Sequence, residues 1–77
     1  MIEFQPGDIV RVSKPDDFSV SFAKRVKDRD AVVLRAFVPL GSNATTVAIR
    51  FLKRNGRGSE FEEFMRAAHV HKVMHNA

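Results

Sequence analysis

Two short segments of this sequence are rich in side chains that can bind anions. The first, residues 53–58, reads KRNGRG and carries three cations around an Asn-Gly pair. The second, residues 24–30, carries four cations and two aspartates. Because ammonium and guanidinium groups donate charge-assisted hydrogen bonds to carboxylate and phosphate oxygens, we predict that both segments contact an anionic partner. The predicted contact residues are Lys24, Arg25, Lys27, Arg29, Lys53, Arg54 and Arg57.

Positive charge is concentrated in the middle of the chain. The formal net charge is +4, and residues 31–58 hold five arginines and lysines without any aspartate or glutamate. A region of one sign is typical of surfaces that bind anionic ligands. Two alternatives stay open: the cations form an ordinary solvated rim, or Glu60, Glu62 and Glu63 neutralise them across a β-ladder.

Three histidines near the C-terminus are candidate metal ligands. His69 and His71 are two residues apart, which on a strand places them on one face, and His75 follows. Zinc in proteins is usually held by four ligands, and no fourth can be placed here, so we expect no specific metal site. The sequence has neither a Gly-x-Ser-x-Gly elbow nor a glycine-rich phosphate loop, and we therefore expect no catalysis and no cofactor.

The length and composition indicate one small soluble domain, residues 1–77. No apolar stretch reaches the length of a membrane span, and the start, MIEFQPGD, lacks the features of a signal peptide. We therefore expect a cytoplasmic protein without membrane contact, whose small core leaves room for weak self-association. The chain has no cysteine, so burial of apolar side chains must stabilise it. The phenylalanines predicted to form the core are Phe4, Phe18, Phe22, Phe37, Phe51, Phe61 and Phe64.

Apolar segments separated by turn residues predict a mostly β fold. The valine-rich run at 31–38 is the best candidate for a central strand. The segment DFSVSF, residues 17–22, alternates polar and apolar residues and is predicted to be a half-buried strand or an extended arm. Residues 24–30 are predicted to be solvated. The predicted strands are 9–12, 31–38, 45–53, 60–65 and 70–73.

Asn55-Gly56 predicts a tight β-hairpin, because both central residues of a type I′ turn need positive φ. After the turn, Ser59 and Glu62 also fit a helix capping box followed by apolar residues at helical spacing. We prefer a strand at 60–65, since a hairpin turn connects two paired strands. A one-turn 3-10 helix is predicted at 67–68, and a loose tail from Met74 onward.

This order of elements resembles the SH3-like small barrel. The resemblance rests on residues 6–12 (PGDIVRV), 31–34 (AVVL) and 69–73 (HVHKV), and the first of these looks like the start of KOW-type domains, type II dihydrofolate reductases and short phage or mobile-element proteins. Asp30 stands where KOW domains usually have glycine, and residues 47–50 (VAIR) replace the VQIY segment of the reductases. The resemblance implies an all-β barrel of about five short strands, with a late Asn-Gly hairpin and a 3-10 helix near the C-terminus, but no reductase activity.

A non-enzymatic binding module is the function that these observations predict. SH3-like barrels bind partners through loops or an open edge strand, and this chain lacks the Trp and Tyr of a PxxP groove. We predict that the basic loops contact a protein with an acidic surface, as a phage-type effector would. The alternative is a nucleic-acid-binding barrel that uses the same loops, with Phe22 and Phe51 beside them. Their alternation with polar residues places both phenylalanines in the core instead.

Overall fold

The computed structural model describes residues 4–54 and 56–74, and these residues are mostly β. Five antiparallel strands form one open sheet, together with one helix, α1 (Val20–Val26), and two 3-10 helices, Pro15–Asp17 and Ala67–His69. The strands are β1 (Ile9–Val12), β2 (Ala31–Phe37), β3 (Thr46–Phe51), β4 (Phe61–Arg66) and β5 (Val70–Met74).

The strands lie in the order β4-β3-β2-β1-β5, so β2 is the central strand, as its valine-rich sequence predicts. The pairing of β2 with β3 changes register between Val33 and Arg35. An irregularity of this kind bends a strand and increases its twist. Only the start of β2 pairs with β1, where Val10 faces Ala31. The whole of β2 runs beside β3.

The hydrophobic core follows the alternation of β3. Val47, Ile49 and Phe51 are each 0 % exposed, because alternate side chains of a strand point to the same face. The prediction that all seven phenylalanines form the core is wrong for Phe64, which is 64 % exposed. It is also wrong for the half-buried Phe37, which packs edge to face against Phe64 outside the buried cluster. The buried cluster consists of Phe4, Val10, Val12, Val26, Ala31, Val33, Val47, Ile49, Phe51, Met65 and Val70, with Phe18, Phe22 and Phe61 packed partly against it.

The arm between β1 and β2 is helical, so the prediction of a strand or extended arm at 17–22 is wrong. Ser19 caps the N-terminus of α1, where its hydroxyl accepts a hydrogen bond from the Phe22 N–H at 3.3 Å. Ala23 and Val26 are buried, whereas Val20 is 72 % exposed. Helical spacing therefore decides which apolar residues of this segment reach the core, and the alternation of DFSVSF does not.

The late hairpin is confirmed on both sides of its turn. β3 and β4 pair over their whole length, from Thr46 opposite Arg66 to Phe51 opposite Phe61, which confirms the strand preferred at 60–65 over the helix. At the tip, Arg54 and Arg57 exchange two backbone hydrogen bonds, of 2.7 and 3.1 Å. Gly56 has a φ of 76°, as such a turn needs, and Asn55 lies outside the described residues.

The C-terminal elements agree with the sequence apart from one boundary. The predicted 3-10 turn is present at Ala67–His69 and leads directly into β5. Met74 belongs to β5, so the prediction of a tail that begins there is wrong, and residues 75–77 lie outside the described residues. No helix in the described ranges is long and apolar enough to cross a membrane.

Candidate functional site

The C-terminus of α1 meets the loop that follows β3, and this contact joins the two basic segments. Arg54 donates hydrogen bonds from one guanidinium nitrogen to the carbonyls of Lys24 (3.0 Å) and Lys27 (2.7 Å). The last carbonyls of a helix lack partners within the helix, so a guanidinium group beside them supplies donors and interacts favourably with the helix dipole. Segments 24–30 and 53–58 therefore form one surface.

Arg29 holds the same junction together from inside. Arg29 is 9 % exposed, and its guanidinium group donates hydrogen bonds to the carbonyls of Leu52 (2.6 Å), Arg25 (3.2 Å) and Ser59. Burial lowers the pKa of Arg29, and the neighbouring positive charges of Arg54 and Arg25 lower it further. The prediction that residues 24–30 are solvated is thus wrong for this side chain, because it clamps α1 to the start and end of the hairpin.

The joined segments enclose one concavity of about 660 Å³, which we call the basic concavity. Its lining includes six cationic and two acidic side chains, which give a formal net charge of +4. A cleft with low-dielectric walls and an excess of one charge sign concentrates the field and attracts counter-ions. The lining residues are Arg11, Lys24, Lys27, Asp28, Arg29, Asp30, Leu52, Lys53 and Arg54.

Asp30 is one of the two acids in the basic concavity, and it is already paired. The Arg11 side chain donates to its carboxylate at 2.7 Å, and this hydrogen bond is the main reason that the pKa of Arg11 is raised. By contrast, Lys24, Lys27 and Lys53 are exposed and take part in no ion pair within residues 4–54 and 56–74. Three ammonium groups thus remain for an anionic ligand.

Five of the seven predicted contact residues line the basic concavity, and two lie beside it. Arg25 stacks on the Phe61 ring, with its guanidinium carbon 4.0 Å from the ring centroid. Arg57 belongs to the hairpin tip, where its backbone pairs with Arg54. The five lining residues are Lys24, Lys27, Arg29, Lys53 and Arg54.

Four lining residues are absent from the predicted contact residues: Arg11, Asp28, Asp30 and Leu52. Two of them, Arg11 and Asp30, form an ion pair. Arg11 alternates with buried Val10 and Val12 and therefore points away from the core. Asp30 precedes β2, and the pairing of Val10 with Ala31 brings it beside Arg11. Alternation in β1 could have placed Arg11 outside the core, but only the register places it at this site.

The glutamates after the hairpin neutralise a different arginine. Arg50 donates to the Glu62 carboxylate at 2.8 Å and lies 3.9 Å from Glu60, and the hydrogen bond to Glu62 is the main reason that its pKa is raised. Arg50 faces Glu62 directly across the ladder. Among the described residues, the ion pairs of these glutamates thus involve Arg50 and leave Arg54 and Arg57 out.

The aromatic rings beside the basic segments are buried or half-buried. Phe51 is 0 % exposed, and Phe22 packs partly against the core. Phe61 stacks on Phe51 at 4.8 Å and has Arg25 and Arg29 over its ring. These rings are therefore not arranged as platforms on which nucleobases could stack.

His71 lies on β5, beside β1 on the side away from β2, and His69 lies in the 3-10 helix before it, so these two histidines do not share one face of a strand as predicted. His69 belongs to the 3-10 helix, and its ring packs edge to face against Phe18. His71 belongs to β5, and its Nδ1 lies 3.0 Å from the Ser13 hydroxyl. His75 lies outside the described residues, and no cluster of three potential metal ligands occurs in the part that the structure describes.

Comparison with models of protein families, with curated proteins and with solved structures finds no match to this chain. The basic concavity is therefore the feature of this chain from which a function can be inferred.

Proposed function

We propose that the chain is a non-enzymatic binding module whose basic concavity holds an acidic segment of a protein partner. The convergence of two basic segments, distant in sequence, on one concavity of net charge +4 is the observation that carries this proposal. The ammonium groups of Lys24, Lys27 and Lys53 supply charge-assisted hydrogen bonds to carboxylates. Arg29 and Arg54 hold these lysines in place through backbone carbonyls.

We also propose that the fold is a small, incompletely closed barrel of the SH3-like type, in which the outer edge of β4 stays open. Three features support this proposal: the strand order β4-β3-β2-β1-β5, the irregularity between Val33 and Arg35 in β2, and the single 3-10 turn that leads into β5. The arm between β1 and β2 is where this chain differs from the expected pattern, since it carries α1. In this proposal α1 is the element that converts the arm into one wall of the binding site.

A nucleic acid bound by the same loops is the alternative partner. The three lysines that have no ion pair among the described residues suit it equally, because phosphate oxygens accept the same hydrogen bonds as carboxylates. The covered aromatic rings favour the acidic protein, since sequence-tolerant binding of single strands relies on stacking of bases on exposed rings. We therefore place the acidic protein first.

Fluorescence anisotropy with two labelled probes separates these partners. One probe is a poly-glutamate peptide, and the other is an oligonucleotide, used as single strand and as duplex. We expect the peptide to bind more tightly at equal ionic strength, and tighter binding of either oligonucleotide would support the alternative. If neither probe binds at low salt, the proposal is wrong.

A pair of triple variants shows whether the basic concavity is the site that binds the peptide. Lys24→Ala/Lys27→Ala/Lys53→Ala removes the free ammonium groups of the site. Lys14→Ala/Arg35→Ala/Arg66→Ala removes three exposed cations elsewhere and serves as the control of equal charge. We expect the first triple variant to abolish peptide binding and the second to retain most of it. Equal losses would mean that net charge, and not the site, attracts the peptide.

A pull-down from lysate, with and without nuclease, identifies the natural partner class. A band that resists nuclease and is lost with the first triple variant supports an acidic protein. Co-purified material that is lost after nuclease treatment supports a nucleic acid.

A further inference from the structure

A second exposed surface lies at the outer edge of the sheet. Among the described strands β4 pairs only with β3, so no strand lies beside its other edge. An unpaired edge presents a row of backbone donors and acceptors to other chains. Three exposed residues of β4, Glu62, Phe64 and Arg66, share one face along this edge.

The backbone groups of the same three residues point toward the open edge. The Ala67 N–H donates to the Thr45 carbonyl at 2.9 Å, one step beyond the facing pair of Thr46 and Arg66. Along an antiparallel ladder, hydrogen-bonded pairs alternate with pairs that are not hydrogen-bonded. The odd-numbered residues of β4 therefore bond to β3, and the even-numbered ones direct their N–H and C=O groups outward.

We propose that β4 pairs with β4 of a second copy of this chain, antiparallel about a two-fold axis at Phe64. In this register Phe64 faces Phe64 of the partner subunit, and Glu62 faces the partner subunit's Arg66. The two-fold axis repeats the Glu–Arg pair, so two opposite-charge pairs flank one aromatic pair. The three facing pairs also satisfy the outward backbone groups of both strands.

The charge pattern of β4 selects this register over its neighbours. An axis at Glu62 places two glutamates opposite each other, and an axis at Arg66 places two arginines opposite each other, which are unfavourable pairs. An axis at Glu63 likewise places two glutamates opposite each other, and an axis at Met65 forms no opposite-charge pair within β4. In the proposed register, Glu63, which is half-buried on the other face, meets Met65 of the partner subunit and not its own copy.

Two further observations favour β4 as the interface. The ring of Phe64 packs edge to face against Phe37 of the same sheet, with the ring centroids 6.1 Å apart, and 64 % of Phe64 stays exposed to a partner. The other edge strand, β5, carries His71 and Lys72 and no acidic residue. Self-pairing of β5 thus lacks the opposite charges that β4 provides.

Sedimentation velocity between about 10 µM and about 1 mM tests the proposal, since a one-strand interface is small and its dimer is weak. Arg66→Glu places two glutamates opposite each other, and Glu62→Arg places two arginines opposite each other. We expect each variant alone to dimerise roughly tenfold more weakly or worse, because each repulsion acts twice. An equimolar mixture restores two Glu–Arg pairs and therefore dimerises at least as well as the wild type.

Two controls keep this result specific. Lys14→Glu carries the same charge reversal as Arg66→Glu on an exposed residue outside the sheet, and it should dimerise like the wild type. Circular dichroism verifies that both β4 variants are folded, which matters because Glu62→Arg also removes the ion pair with Arg50.

Amide hydrogen exchange of the wild type locates the interface directly. The amides of Glu62, Phe64 and Arg66 should become protected as the concentration rises, whereas those of β5 should not change. A wild-type chain that stays monomeric at about 1 mM overturns the proposal. A dimer that leaves these three amides unprotected, or folded variants whose mixture does not associate, also overturns it.

Discussion

The basic concavity and the β4 face, which is the exposed sheet surface around Glu62, Phe64 and Arg66, use the same residue types with opposite electrostatic results. In the concavity, Arg29 and Arg54 donate to backbone carbonyls, which carry no formal charge. On the β4 face, Arg50 donates to the carboxylate of Glu62. The first arrangement organises a surface and keeps its positive charge, whereas the second cancels charge locally.

This difference shows why the number of arginines in a segment is a poor guide to what they bind. An arginine held by carbonyls near a helix end contributes to the fold and also keeps a full charge beside the lysines of the site. An arginine opposite a glutamate on a ladder retains little field for a distant anion. The two regions thus suit an anionic partner and a complementary strand edge respectively.

The largest expected effect on stability comes from Arg29, whose side chain holds α1 against the hairpin. Arg29→Leu leaves the carbonyls of Leu52, Arg25 and Ser59 without this donor, and we expect a loss of about 2–4 kcal/mol of unfolding free energy. Arg25→Leu is the matched control, since it removes a guanidinium group that stacks on Phe61 and should lose about 1 kcal/mol or less. Urea denaturation measures both, and equal losses contradict the clamp.

Arg54 should have an intermediate effect, because its two carbonyl bonds are exposed. We expect Arg54→Ala to lose about 1 kcal/mol and to perturb the NMR shifts at the end of α1. Arg57→Ala removes a cation from the same hairpin without such bonds among the described contacts and should stay within about 0.5 kcal/mol of the wild type. If Arg54→Ala is as stable as Arg57→Ala, the guanidinium group does not cap the helix.

Lys53 should affect binding and not stability. Because it is exposed and unpaired among the described residues, Lys53→Ala should change the unfolding free energy by less than about 0.5 kcal/mol. Its effect on peptide affinity should shrink as salt rises, since screening weakens exposed charges. With an oligonucleotide, the slope of log K against log salt should fall by roughly 0.7–0.9 for one lost phosphate contact. A salt-independent loss of affinity contradicts an electrostatic role.

The smallest effect is expected for the exposed pair of Arg50 and Glu62. Each side chain is about half exposed, so the pair is screened by water and salt. Arg50→Gln and Glu62→Gln should each shift the urea midpoint only slightly, and a double-mutant cycle should give a coupling that disappears in high salt. A large coupling that persists in high salt would place this pair among the structural clamps.

Local sequence patterns predicted much of the sheet for identifiable reasons. Valine enrichment located β2, alternation located β3, and the turn chemistry around Gly56 indicated that residues 60–65 pair back as a strand. The prediction of a strand or extended arm at 17–22 failed because six residues are too few to distinguish the two-residue period of a strand from the 3.6-residue period of a helix. Ser19 as an N-cap and the apolar residues that follow it were the signals for a helix there.

The sequence by itself determined the strands, the turns and the excess of positive charge, because these depend on backbone preferences and on side-chain types close along the chain. Only the tertiary structure decided which of the described cations are already bonded to other groups of the chain. Arg29 is a clamp because α1 packs beside Ser59, Asp30 is neutralised because β1 pairs with β2, and Glu62 faces Arg50 because of the β3–β4 register. Each of these partners lies 12 or more positions away in the chain, where no local pattern can specify distance or direction.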